Sequence, residues 1–284
     1  MLPDYPLPRF LLKKKPMPIL EEEKSRPEPT TADGNKALAD EYLAKGRIQH
    51  AITRYKKAAR MEDNSEHRTD LGDAYAYAEL SVKAVQQYRR ALKSNPKTPE
   101  PHFGLAEVYV RYGRWQAAAA EYAQAVDLAP RNPFYRYKLA CAYIQMRCAQ
   151  EAITQLEEAV LLLPNDGFYH FELASVYADV RRDDDAVYEM ECAVALCPED
   201  DYYAARLGML YARTDMLDRA ADMYREAARI NPEKLAYRAL LADMYFSSGQ
   251  DERAEMEYAS AAGIDYFEAD FVLRARRYML GGTW

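Results

Sequence analysis

Residues 133–166 read PFYRYKLACAYIQMRCAQEAITQLEEAVLLLPND, and residues 167–200 read GFYHFELASVYADVRRDDDAVYEMECAVALCPED. Aligned, the two share Leu139 with Leu173, Ala140 with Ala174, Tyr143 with Tyr177, Ala152 with Ala186, Ala159 with Ala193, and Pro164 with Pro198. The step is 34 residues, and it continues outward. Pro96, Pro130 and Pro232 extend the proline ladder. Leucine recurs at Leu71, Leu105, Leu207 and Leu241, each followed by Gly72, Ala106, Gly208 or Ala242. Tyrosine stands four residues after each leucine, at Tyr75, Tyr109, Tyr211 and Tyr245. Two alanine ladders run through Ala84, Ala118, Ala220 and Ala254, and through Ala91, Ala125, Ala227 and Ala261. A first copy, with Leu38, Ala39, Tyr42, Ala51, Tyr55 and Ala58, is one residue out of phase, so one residue is missing around 61–65.

Leu, a small residue and Tyr at i, i+1 and i+4 mark one face of a helix. Alanines at i and i+7 mark a face on a second helix. Small residues let the two helices approach, and Leu and Tyr fill the space beside them. Proline lacks the amide hydrogen and disfavours helix in the residue before it, so it ends the second helix. Each unit is a helix pair that cannot bury its face alone, and stacked neighbours supply the core.

In these positions the chain resembles the tetratricopeptide-repeat family, whose 34-residue unit has the form W-x2-L-G-x2-Y…A-x3-F…P. Seven copies are read at 32–64, 65–98, 99–132, 133–166, 167–200, 201–234 and 235–268. The resemblance implies an all-α fold, a right-handed solenoid of helix-turn-helix repeats. One departure is consistent: Arg68, His102, Arg136, His170, Ala204 and Arg238 stand where the family has Trp. From the fourth copy on, Tyr135, Tyr169, Tyr203 and Tyr237 are read as filling that space. The last copy carries Tyr266 in place of its proline.

Residues 267–280 read as one more helix, with Phe267, Phe271, Ala275 and Tyr278 in a stripe. It is expected to cap the last repeat, with 269–284 as capping helix and tail, a partner-docking helix being the other reading. Residues 1–31 read as an extended arm, with seven of the fifteen prolines and the basic block Lys13, Lys14 and Lys15. Tyr5, Arg9, Phe10, Leu11 and Leu12 give the arm more apolar weight than a solvated tail needs. Three readings stay open for it: a solvated tail, a segment that orders on a partner surface, or a weak contact with an anionic membrane.

A net charge of −7 argues against nucleic acid, which needs clustered Lys and Arg. No apolar stretch approaches the roughly 20 residues needed to span a bilayer, so membrane contact is expected only through the arm or a membrane-protein partner. Cys141, Cys148, Cys192 and Cys197 are read as structural thiols in a reducing, cytosol-like compartment. His50, His67, His102 and His170 lie in different repeats, and no His or Cys pair has metal-ligand spacing. No Gly-rich phosphate loop occurs, and an open solenoid encloses little space for acid–base catalysis. Neither cofactor, metal nor catalytic residue is expected.

The resemblance implies that the first helix of each pair lines a concave groove, through the second, fifth, ninth, twelfth and thirteenth positions of the unit. The groove candidates are Phe103, Glu107 and Arg111 in the third copy, and Phe134, Tyr137 and Ile144 in the fourth. Phe168, Phe171 and Asp179 follow in the fifth, and Tyr202, Met209 and Arg213 in the sixth. The first copies offer Asp33, Asp40, Glu66 and Asp73, so the groove is read as running from acidic to aromatic. Family members that grip a chaperone's C-terminal carboxylate have cations and Asn where this chain has Lys36, Asp40, Asp70, Glu100 and Gly104; one match in five does not make that clamp. The expected function is a non-catalytic scaffold or assembly factor that holds an extended or helical protein segment. A constitutive subunit of a large complex, anchored by the arm, is the other reading.

Overall fold

The structure, a computed structural model, describes residues 28–282, and these form fifteen α-helices. The candidates at Tyr5 through Lys15 lie outside the described residues. The chain divides into two compact units, residues 1–148 and 149–284.

The first unit carries α1 (Ala32–Ala44), α2 (Ile48–Met61), α3 (Ser65–Tyr77), α4 (Ser81–Ser94), α5 (Pro99–Arg111), α6 (Trp115–Leu128) and α7 (Pro133–Gln145). Each helix packs on the next, and α3 also packs on α5. The second unit carries α8 (Ala149–Leu162), α9 (Gly167–Asp179), α10 (Asp183–Leu196), α11 (Asp201–Arg213), α12 (Leu217–Ile230), α13 (Ala236–Ser247), α14 (Asp251–Ser260) and α15 (Tyr266–Met279). From α8 to α14 each helix again packs on its successor. The fold is an all-α solenoid of helical repeats.

Local chemistry explains the alternation. Several odd-numbered helices open on a side-chain cap: Asn64 accepts from the His67 amide at 2.8 Å, and Asp200 from that of Tyr203 at 3.0 Å. Asn132 and Asp166 cap α7 and α9 in the same way, which satisfies amides that lack a partner in the first turn. The turn inside each pair places one residue at positive φ: Gly46, Glu79, Gly113, Arg147, Arg181, Asp215 and Gly249. The alanine ladders are fully buried at Ala84, Ala118, Ala186, Ala220, Ala91, Ala125, Ala193 and Ala227, where a larger side chain would push the helices apart.

The missing tryptophan has a polar replacement. In four copies the residue at that position reaches across to the second helix of its own pair. Arg68 donates to Gln87 at 2.9 Å, His102 pairs with Glu121 at 2.7 Å, His170 with Glu189 at 2.6 Å, and Arg238 with Glu257 at 3.1 Å. The tyrosine ladder stitches successive pairs. Tyr177 donates to Glu157 and Tyr211 to Glu191, both at 2.6 Å, and Tyr245 accepts from Arg225 at 2.9 Å.

Candidate partner-binding faces

The face carried by the odd-numbered helices differs between the two units, and the difference begins at the ninth position of each repeat. In the first three copies that position is acidic, with Asp40, Asp73 and Glu107; in the fourth it is Cys141. Each acidic residue accepts a hydrogen bond from a tyrosine fifteen residues on, in the second helix of its own pair. Tyr88 donates to Asp73 at 2.7 Å; Tyr55 donates to Asp40, and Tyr122 to Glu107. These tyrosines are buried, and burial beside a carboxylate pushes their hydroxyls above the usual tyrosine range at Tyr88 and Tyr122. The acidic residues read as groove charge are therefore also hydrogen-bond acceptors for the core.

Beside them lies an open recess of about 750 Å³ between α3, α4 and α5, lined by Asp63, Glu66, Asp70, Asp73 and Glu100 together with Thr69 and other small polar residues. Lys36 answers two of these carboxylates, at 2.8 Å from Asp70 and in an ion pair with Glu66. Asp70 is buried enough that its carboxyl is raised above the usual range despite Lys36. Glu66 stays largely exposed, as does Asp63, which pairs with Arg68.

The other candidates in this unit divide. Phe103 is buried, stacked on Tyr135 at 5.1 Å and tilted against Phe134 at 5.6 Å, so it belongs to the core rather than to a groove surface. Glu107 also pairs with Lys138 at 2.8 Å. Arg111 is exposed at its end but donates to the Ala76 carbonyl at 2.7 Å, tying α5 to α3. Phe134, Tyr137 and Ile144 on α7 are half-buried, with the Lys138 ammonium 5.9 Å from the Phe134 ring.

In the second unit the ninth position carries Ser175, Met209 and Asp243. Met209 is wholly buried and lines no surface. Phe171 stacks on Tyr203 at 4.7 Å and lies 5.7 Å from Tyr202, while Phe168 meets Tyr169 edge-on at 5.3 Å. Asp179 is exposed; the Arg213 side chain is covered and paired with Asp183.

What covers this face is the chain's own last helix. Helix α15 packs against α11 and α13. It buries Val272, Ala275 and Tyr278. The Tyr278 ring lies 5.2 Å from the Arg206 guanidinium and 4.4 Å from that of Arg213. Arg276 grips Asp243, the ninth residue of the last copy, through two hydrogen bonds at 2.7 and 2.8 Å. Phe271 meets Tyr237 edge-on at 6.0 Å, with the Lys234 ammonium 4.7 Å away. Beyond the helix, Arg181 donates to the Gly281 carbonyl at 2.6 Å. The stripe expected on the cap is thus shifted: Phe267 is exposed, and the stripe's remainder lies over first-helix residues of earlier copies.

One tyrosine ties these facts together. Tyr224 occupies the position of Tyr88 and Tyr122, but Met209 stands where its carboxylate would be. Its buried hydroxyl lies 3.5 Å from the Met279 sulfur of α15. Asp243, Arg206, Tyr224 and Arg276 were absent from the expected site. The signal for them was Tyr224, a tyrosine that lacks the Asp or Glu fifteen residues before it that Tyr55, Tyr88, Tyr122 and Tyr258 each have.

Two family models match, both described as tetratricopeptide repeat, at residues 69–133 and 203–234. No curated protein matches the chain. Among solved structures, pilF of Pseudomonas aeruginosa is 20% identical, with a TM-score of 0.59, over 75% of this chain and 97% of that one. A tetratricopeptide repeat protein of Parabacteroides merdae is 16% identical, with a TM-score of 0.58, over 89% and 100%. YrrB, a TPR protein with an unusual peptide-binding site, is 19% identical, with a TM-score of 0.55, over 67% and 99%. Residues 69–133 and 203–234 are tetratricopeptide repeats, set within an all-α solenoid of helical repeats.

Proposed function

We propose that this protein is a non-catalytic scaffold that holds a basic segment of a protein partner on the odd-helix face of its first unit. Tetratricopeptide repeats generally serve protein interaction, and YrrB, alike in fold, carries a peptide-binding site. The observation that carries the reading is the acidic recess. Five carboxylates line about 750 Å³ of open space, against two cations, Lys36 beside Glu66 and Asp70 and Arg68 beside Asp63. The carboxylates outnumber the cations beside them and repel one another, and a Lys or Arg side chain from a partner relieves that. The half-buried rings of Phe134 and Tyr137 supply apolar anchors in the same unit.

Selection of a random peptide library on the full chain tests this. The expected consensus is Lys and Arg flanking an apolar anchor, with affinity falling as salt rises. Glu66→Lys with Glu100→Lys is expected to weaken the selected peptides at least tenfold while leaving the helix content unchanged. Selected peptides without basic residues, or binding indifferent to the double reversal, would overturn the reading.

A further inference from the structure

The second unit carries its own occupant. Helix α15 lies over α11 and α13, and its contacts fall on first-helix residues of the sixth and seventh copies: Arg206, Arg213 and Asp243. Its docking surface has a definite pattern. Phe271 meets Tyr237, Ala275 is buried without remainder, Arg276 pairs with Asp243, Tyr278 enters between two guanidinium groups, and Met279 answers the Tyr224 hydroxyl. Positions 271, 275 and 278 share one helical face.

The match extends into the core beneath. Elsewhere a tyrosine in the position of Tyr224 finds a carboxylate within its own repeat, as Tyr88 and Tyr258 do. In the sixth copy the carboxylate is replaced by Met209, and the hydroxyl's partner comes from α15. The face is thus complementary to this helix in particular. Yet α15 is held by few buried side chains, Val272, Ala275 and Tyr278, and its far side leaves Tyr266, Phe267 and Leu273 exposed. A fourteen-residue helix is marginal on its own, so it stays helical mainly while docked.

We infer that α15 is a tethered competitor: the odd-helix face of the second unit is a docking site for a partner helix carrying the same pattern, aromatic-x3-Ala-Arg-x-Tyr-Met, and α15 closes that site until such a helix displaces it. This site is separate from the acidic recess, and either can fail without the other. Tethering makes the internal helix a strong competitor through its high effective concentration, so the free face is rarely presented. A partner helix that makes the same contacts, and more with the surface that α15 leaves uncovered, shifts the balance by mass action.

The probe is a synthetic peptide of residues 264–282 bearing a fluorophore, titrated into the full chain. Arg276→Ala with Tyr278→Ala loosens the resident helix, and this variant is expected to bind the peptide at least tenfold more tightly than the unsubstituted chain. Adding Asp243→Lys to the loosened chain is expected to abolish the gain. Hydrogen exchange on the unsubstituted chain gives a readout free of folding effects. With peptide at saturation, amides of residues 266–279 in the chain lose protection, while those of α11 and α13 keep theirs. Equal peptide affinity in both chains, or α15 amides that stay protected at saturation, would overturn the proposal and leave α15 a structural cap. Exchange of α15 between copies, seen as a dimer by light scattering without peptide, would overturn it in favour of a swapped assembly.

Discussion

Tyr88 and Tyr224 occupy the same place in their repeats, and the two units treat them differently. Tyr88 is pressed between Gly72 and Gly104, and its hydroxyl is satisfied by Asp73 from the same helix pair. Tyr224 faces Gly208 with more room, and its hydroxyl reaches the Met279 sulfur, fifty-five residues away in the chain. The first-unit arrangement is closed at the level of the repeat. Its odd-helix face carries an open recess lined by carboxylates. The second is closed only by α15. A repeat's core and its odd-helix face are therefore not separate designs, because the polar partner of a core tyrosine can come from its own repeat, as at Tyr88, or from a helix laid over that face, as at Tyr224.

The largest effect expected from this comparison is steric. A Cβ added at Gly104 would stand 2.4 Å from the Tyr88 ring, whereas one at Gly208 would stand 3.1 Å from Tyr224. Gly104→Ala is expected to cost about 2–3 kcal/mol by overpacking a ring that has little space to move. Gly208→Ala is expected to change stability by less than about 1 kcal/mol, since the gain in helix propensity offsets a mild squeeze. Urea midpoints of the two variants check this, and equal losses would break the contrast.

Next comes pH. Burial raises the Glu172 carboxyl to about 7, with Arg206 opposing the shift. A carboxyl raised in the folded state contributes stability that is fully present below its unfolded value near 4.5 and lost as pH rises through about 7. His170 acts in the same direction. The hydrogen bond to Glu189 raises it, so its contribution is present below the unfolded value of 6.5 and lost as pH rises through the raised one. The second unit is expected to lose on the order of 2 kcal/mol between pH 5 and 8 from Glu172. Glu172→Gln should remove most of that slope. Hydrogen exchange in α9 and α11 at the two pH values is the measurement, and an unchanged slope in the variant would assign the loss elsewhere.

The fold was legible because it rests on chain-local rules repeated with a constant step. A proline at 96, 130, 164, 198 and 232 stops a helix wherever it stands, and a Leu-small-Tyr face buries itself against any like neighbour. The candidate binding faces were less legible. Position nine, read as groove charge at Asp40 and Glu107, holds residues whose carboxylates also accept from core tyrosines. Phe103 and Met209, read as surface anchors, are buried. Helical periodicity tells which residues share a face, but not what the face meets. That is why α15 read as a cap with Phe267 in its stripe, whereas Phe267 is exposed and Tyr278 lies between Arg206 and Arg213.

The finest test removes one oxygen from each tyrosine. In Tyr88→Phe the ring stays in place, but Asp73 loses a donor. A hydrogen bond to a charged group is worth about 1.5–3 kcal/mol when buried. Asp73 also lines the open recess, where water replaces part of the bond, so the expected loss is about 1 kcal/mol. In Tyr224→Phe the lost acceptor is a thioether, which is weak, and the sulfur suffers little from being left without a donor. Overall stability should then fall by less than about 0.5 kcal/mol. The effect should instead be local, because Met279 is the end of a helix that buries few side chains. Hydrogen exchange is expected to show faster opening of residues 276–280 in Tyr224→Phe, and no change at α15 in Tyr88→Phe. If Tyr224→Phe left α15 protected and cost as much as Tyr88→Phe, the hydroxyl would be serving the repeat's own core, and the two tyrosines would be equivalent after all.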